Sequence, residues 1–260
     1  MADDKVDYEL VGDVAFLRLN DQATLNAMSA ALGEELREAI RRAQLEARAI
    51  LLGSIGRAFC SGANLTDSGF QLDDPERDVG IMLEKVFNPL MLEMRACEVP
   101  IVTAIRGAAA GIGCAFACAG DLIVAGEGAY FFQAFRQVGL VPDGGSTYLL
   151  AKAIGRVRAM EMMLLGTRVT AQQALEWGLI NRIVPDDRVD EEGLKIATDL
   201  ARGPRSMGLI RAAAWAALES PFDEQLGRER SLQRDACRTE DFVEGVTAFR
   251  DKRSPTFNGR

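Results

Sequence analysis

Three short apolar runs constrain this chain more than any other feature: residues 49–52 (AILL), 101–105 (IVTAI) and 122–125 (LIVA), with helical or loop stretches between them. A run that is apolar on every side suits a strand buried on both faces. Strands alternating with helices join as βα units into a mostly parallel sheet. The opening stretch 8–20 (YELVGDVAFLRLN) alternates around Gly12-Asp13 and predicts a hairpin leading into a strand. Ser29 is placed to cap a helix whose apolar face repeats as Leu32, Leu36, Ile40 and Ala43. Thr170 opens a helix that Gly178 stops before a short strand over 179–184, and the last third reads as mainly helical. No internal repeat or low-complexity linker divides the chain. The expected fold class is α/β: a core over residues 1–195, then a C-terminal helical region over 196–260.

Composition narrows the chemistry. With 260 residues, 48% of them apolar, the chain can fill a substantial core, and its formal net charge of -8 argues against a nucleic-acid partner, which needs clustered Lys and Arg. The absence of histidine removes the commonest general base, the Ser-His-Asp relay and imidazole metal sites. Catalysis then falls to carboxylates, backbone or thiols, and no metal is expected. Cys60, Cys97, Cys114, Cys118 and Cys237 are odd in number and form no CxxC pair, so they read as reduced, small core residues in a reducing cytoplasm. No apolar run reaches membrane-spanning length and the acidic start lacks a secretory pattern, so neither membrane nor export is expected. The stretch 66–79, with Asp67, Asp73, Asp74, Glu76 and Asp78, reads as a surface loop and a candidate lid.

Three glycine-containing segments flank predicted strands: 56–65 (GRAFCSGANL), 107–114 (GAAAGIGC) and 139–147 (GLVPDGGST). In the second, a buried strand runs through Ala and Gly into a helix, whose first N–H groups have no intrahelical acceptor and can meet negative charge. In their order and spacing, together with 25–29 (LNAMS), 120–125 (GDLIVA), Thr170-Ala171, 178–181 (GLIN) and 249–257 (FRDKRSPTF), these segments resemble the crotonase, or enoyl-CoA hydratase/isomerase, family over nearly the whole chain. That resemblance implies a ββα spiral core with a C-terminal helical trimerisation region. It also implies an oxyanion hole made by the backbone N–H groups of Ala63 and Ile112. Such donors hold the enolate oxygen that forms when an acyl-CoA thioester loses a proton or gains a nucleophile.

Against the hydratase pattern of that family, the two glutamate positions fall on Ala115 and Phe135, neither of which transfers a proton. Asp143 stands in 141–145 (VPDGG), where the resemblance points to family members that shuttle a proton with a single aspartate, such as isomerases of phenylacetate-type degradation. One carboxylate suffices to move a double bond. Burial beside Phe135, Val138 and Leu140 would raise its pKa. Locally, Pro-Asp-Gly is also an ordinary turn. The expected function is therefore isomerisation of an unsaturated acyl-CoA. Hydration of a 2-enoyl-CoA is the nearest alternative, and an inactive acyl-CoA-binding protein is the alternative of another class.

The resemblance further implies CoA contacts at Arg57, at the backbone of Ala23, Leu25, Ala58 and Ser61, and at Lys252 and Phe257, the last near the CoA of a neighbouring subunit. Gly62, Gly111, Phe135 and Gly144 complete the expected substrate-binding set. The implied assembly is a homotrimer or dimer of trimers, with CoA entering as part of the substrate and no separate cofactor.

Overall fold

The computed structural model describes residues 4–66 and 73–259, so Asp67 and the centre of the expected lid loop lie outside the described residues. The chain opens with the expected hairpin, β1 (Val6–Val11) and β2 (Val14–Leu19), turning at Gly12. Helix α1 (Ala30–Glu46) follows, capped by the Ser29 side chain, which accepts the Leu32 N–H at 3.2 Å. Next come β3 (Ala49–Ser54), α2 (Gly80–Met82), a π-helical turn (Leu83–Phe87), α3 (Asn88–Ala96) and β4 (Ile101–Ile105). The short strand β5 (Ala108–Ala110), α4 (Ile112–Cys118), β6 (Leu122–Gly126) and β7 (Tyr130–Phe132) lead into the long α5 (Ser146–Leu165). After β8 (Val169–Thr170), α6 (Ala171–Glu176) and β9 (Arg182–Val184), the chain ends in α7 (Val189–Ala201), α8 (Ser206–Ala217), α9 (Phe222–Ala236) and α10 (Glu240–Asp251).

Six strands form one sheet in the order β1-β2-β3-β4-β6-β9, parallel except for the first pair, and β5-β7-β8 form a second, smaller sheet. The short apolar runs are buried on both faces for a simple reason of period. Ala15, Leu17, Ile50, Leu52 and Ile101 point into the cluster that contains α1 and α3, whereas Phe16, Leu51, Val102, Ala104 and Val124 point into a second cluster closed by Val189, Ile196 and Ala197 of α7. Each fully buried Val, Leu or Ile among them contributes about 1.5–3 kcal/mol. Helix α7 comes close because Gly193 leaves room for Leu51, whose Cδ1 lies 2.8 Å from where a Cβ would stand.

Three expectations change. The strand expected over 179–184 is confined to Arg182–Val184, because Leu179 and Ile180 are buried in the turn that follows Gly178. The division expected at residue 195 falls inside α7, which packs on the large sheet to its end, so the separate helical region begins with α8. Cys237 is exposed at the end of α9 rather than in the core, while Cys60, Cys97 and Cys114 are buried as free thiols.

Helix α8 is pinned to the core by Arg211, which is 5% exposed. Its guanidinium donates to Asp121 Oδ2 and to the carbonyls of Arg95 and Cys97, all at 2.7 Å, and Asp121 also accepts from Ile101 N–H at 2.8 Å. An ion pair so engaged accounts for Asp121 structurally. Among the described residues no helix is long and apolar enough to cross a membrane.

Candidate active site

Two bends converge because their strands are tied together. Cys60 and Ala109 form a parallel bridge: Cys60 N–H donates to Ala108 O at 3.0 Å and Ala110 N–H donates to Cys60 O at 2.9 Å. Gly107 permits this approach, since a Cβ there would stand 2.1 Å from the Arg57 carbonyl oxygen. Two residues beyond the bridge, each segment turns on a glycine with positive φ, Gly62 at 115° and Gly111 at 52°. A Cβ on Gly111 would lie 3.6 Å from Gly62 Cα, so the bends touch.

The residue after each glycine carries a free donor. On the first bend, Met28 N–H donates to Gly62 O at 2.7 Å and Asn64 N–H to Met28 O at 2.9 Å, a parallel bridge that passes over the intervening Ala63 N–H. On the second, Gly111 N–H is bound to Phe132 O at 2.8 Å and Ile112 begins α4, so its N–H has no carbonyl one turn back. Among the described residues neither amide has an acceptor, and both residues line one cavity of about 400 Å³. The short strand β5 is what aims Ile112. The expected direct passage from strand to helix is replaced by a second, smaller sheet that sets the height of α4.

Asp143 lines the same cavity. Gly144 and Gly145 turn the chain here with φ of 59° and 78°, and the Asp143 carbonyl, rather than its carboxylate, accepts the Ser146 N–H at 2.9 Å. The backbone turn expected at Pro-Asp-Gly is therefore present, but it does not use the side chain. Asp143 Oδ1 is buried without a hydrogen-bond partner among the described residues. Burial pushes this carboxyl up from 3.8 to about 6, against the opposing pull of its own backbone N–H. Phe135, Val138, Leu140 and Val141 line the cavity with it, and the Phe135 ring lies 3.7 Å from where a Gly111 Cβ would stand.

Gly144 does not line this cavity. It is buried behind the wall, where a Cβ would meet Ile112 Cγ1 at 2.9 Å and Ala115 Cβ at 3.0 Å, and its role is the close packing of this bend on α4. Ala115 is 1% exposed and carries no group that could move a proton.

The residues expected along CoA divide. Leu25 has φ of 58°, donates its N–H to Gln22 O at 3.2 Å and accepts from Ser61 N–H at 3.1 Å, while the Ser61 hydroxyl donates to Thr24 O at 3.0 Å. The Leu25 and Ser61 N–H groups are thus already engaged within the protein. Ala23 and Arg57 are exposed, Ala58 is buried, and Arg57 has no ion-pair partner among the described residues. Lys252 is exposed at the left-handed end of α10, and the half-buried Phe257 packs over Gly245 with its carbonyl held by Arg48 at 3.1 Å. Neither lines the cavity around Asp143. Arg253 is committed to Glu244 through contacts of 2.6 and 2.7 Å.

Two features were missed from sequence. Asn26, 1% exposed, accepts from Asp21 N–H at 2.7 Å and donates to Ile55 O at 3.1 Å and Ala58 O at 2.9 Å, binding the two candidate CoA loops together. Its signal was a lone amide inside an apolar stretch. Met82, Leu83 and Phe87, around the π-helical turn, form part of the cavity wall, and their helical spacing reads only as core.

In a mostly parallel α/β fold, two backbone N–H groups without acceptors and one buried, unpartnered carboxylate oxygen thus meet at a single cavity. The chain belongs to the enoyl-CoA hydratase/isomerase family, whose profile matches residues 9–260. It is 38% identical over 250 residues to 1,2-epoxyphenylacetyl-CoA isomerase of Escherichia coli K12, covering 95% of each chain. It is 39% identical over 258 residues to a "Probable enoyl-CoA hydratase" of Rhodobacter capsulatus, covering 97% of each. The crystal structure of an enoyl-CoA hydratase subunit from Geobacillus kaustophilus superposes with a TM-score of 0.90 at 32% identity over 98% of both chains.

Proposed function

We propose that this enzyme isomerises an unsaturated acyl-CoA thioester, with Asp143 as acid/base and the Ala63 and Ile112 N–H groups as the oxyanion hole. The observation that carries the reading is the meeting, in one cavity, of two unpartnered amides and one buried, unpartnered carboxylate oxygen. The Asp143 carboxylate removes a proton from the carbon next to the thioester carbonyl. The electron pair runs into the C=C–C–C=O system as a dienolate, whose oxygen accepts the two N–H groups. The same carboxyl then returns the proton at the far end of the conjugated system, and the double bond has moved. A pKa of about 6 suits both halves of this cycle, since the group is mostly ionised at neutral pH and its conjugate acid is still an effective donor.

Hydration needs a second group to orient and deprotonate water, and Ala115 and Phe135 provide none. The R. capsulatus relative, named as a hydratase, keeps that reaction as the alternative. The reading extends to a cytoplasmic homotrimer or dimer of trimers. The exposed Val157, Leu164, Phe222 and Phe249, 60–85% accessible in the single chain, would then be covered by neighbouring copies.

The test follows 3-enoyl-CoA and crotonyl-CoA side by side in ultraviolet absorbance. Conversion of the 3-enoyl to the conjugated 2-enoyl thioester, with slow or absent loss of crotonyl-CoA absorbance, is the expected result. Rapid hydration of crotonyl-CoA would replace the reading with the hydratase, and tight CoA-thioester binding with no absorbance change would replace it with an inactive binder.

A further inference from the structure

We infer that the acyl group accepted by this site is apolar to its far end, and that the cavity excludes acyl groups ending in a carboxylate. The inference rests on the thioester reading above and names a substrate class within it. Beyond the two amides, the cavity is lined by Met82, Leu83, Phe87, Phe135, Leu140 and Val141. Among the described lining residues Asp143 is the only charged side chain; there is no Lys or Arg. The polar side chains present are mostly committed. The Ser29 hydroxyl caps α1 by accepting Leu32 N–H at 3.2 Å, the Ser61 hydroxyl donates to Thr24 O at 3.0 Å, and Asn64 Oδ1 accepts from Thr66 N–H at 3.1 Å and from its hydroxyl at 2.7 Å. Gln137, the remaining one, is exposed.

The π-helical turn builds the apolar wall. A π turn inserts one extra residue into a helix, and such turns recur at functional sites. Here Leu83 at its start and Phe87 at its end both line the cavity. Val86 fills the space left by Gly33 of α1, its Cγ1 2.6 Å from where a Cβ would stand. A carboxylate entering this cavity loses water, gains no counter-ion from the described lining residues and shares the space with Asp143. An alkyl or alkenyl chain meets only favourable burial.

The experiment is calorimetric titration of the wild-type protein at neutral pH with hexanoyl-CoA, adipoyl-CoA and octanoyl-CoA. The first two have the same carbon count and differ in the terminal carboxylate; the third controls for length. Adipoyl-CoA is expected to bind at least about thirty-fold more weakly than both others, or about 2 kcal/mol. Affinities of adipoyl- and hexanoyl-CoA within about threefold of one another overturn the inference and leave the thioester reading standing. If no acyl-CoA binds, both fall. Placing a cation in the wall by Leu83→Arg, or at the exposed rim by Leu140→Arg should the first variant not fold, is expected to raise adipoyl affinity relative to hexanoyl by at least about tenfold. An unchanged ratio in a folded variant overturns the electrostatic argument.

Discussion

Asp143→Asn should make the protein more stable at neutral pH while removing its activity. Burial raises the Asp143 carboxyl from 3.8 to about 6, so the folded protein holds this proton to higher pH than the unfolded chain does. The sign comes from linkage: stability associated with this group is full below 3.8, declines as pH rises toward about 6, and is wholly lost above it. At about 1.4 kcal/mol per pH unit, that interval corresponds to about 3 kcal/mol, and solvent screening of a half-buried side chain trims it to about 2 kcal/mol. Asparagine bears no charge and escapes this cost. In urea denaturation the variant should therefore gain about 2 kcal/mol relative to wild type between pH 4 and pH 8. Its turnover of 3-enoyl-CoA should fall by about 10²- to 10⁴-fold. A stability difference independent of pH, or turnover at the wild-type rate, would refute the reasoning. The pattern sought is a carboxylate kept at a site where it weakens the fold, as expected when activity requires it.

The same geometry has further measurable outcomes. Wild-type kcat/KM for isomerisation should fall about tenfold per pH unit below about 6, because the base must be ionised in the free enzyme. Ile112→Pro removes one oxyanion donor at the first helical position, where proline is tolerated; kcat should fall by about 10²- to 10³-fold with the far-ultraviolet circular dichroism unchanged. Asn26→Ala leaves one buried and two part-buried backbone groups without their partner, and should cost about 1–3 kcal/mol in denaturation while weakening CoA binding. In the native protein a thiol reagent should label Cys237 first. Cys60 and Cys97, pushed up to about 12 and about 11 by burial, should react only on unfolding, as read by mass spectrometry of the labelled peptides.

The parts legible in sequence were those set by local periodicity or by a strong local signal. Residues 101–105 read as a doubly buried strand because every position but Thr103 is apolar, and Ser29 and Thr170 read as caps because a hydroxyl at that position satisfies helix N–H groups. The two amides were found by the likeness of their glycine bends to the crotonase pattern, not by any side chain, since a backbone donor leaves no mark on residue type. The hidden features depend on distant packing. Three alanines at 108–110 carry no strand signal, and become β5 only because Cys60 and Phe131 flank them. The family resemblance puts Gly144 in the substrate-binding set, yet its missing side chain serves Ile112 and Ala115 on the other side. The π-helical turn depends on how α1, at Gly33, receives Val86, which single-residue propensity does not encode.

The most direct test of the account is a crystal structure of the protein with a saturated acyl-CoA bound. The account predicts the thioester oxygen at about 3 Å from both the Ala63 and Ile112 nitrogens, with the Asp143 carboxylate beside the carbon next to the carbonyl. A thioester oxygen held by neither amide, or an Asp143 carboxylate turned away from the acyl chain, would contradict it.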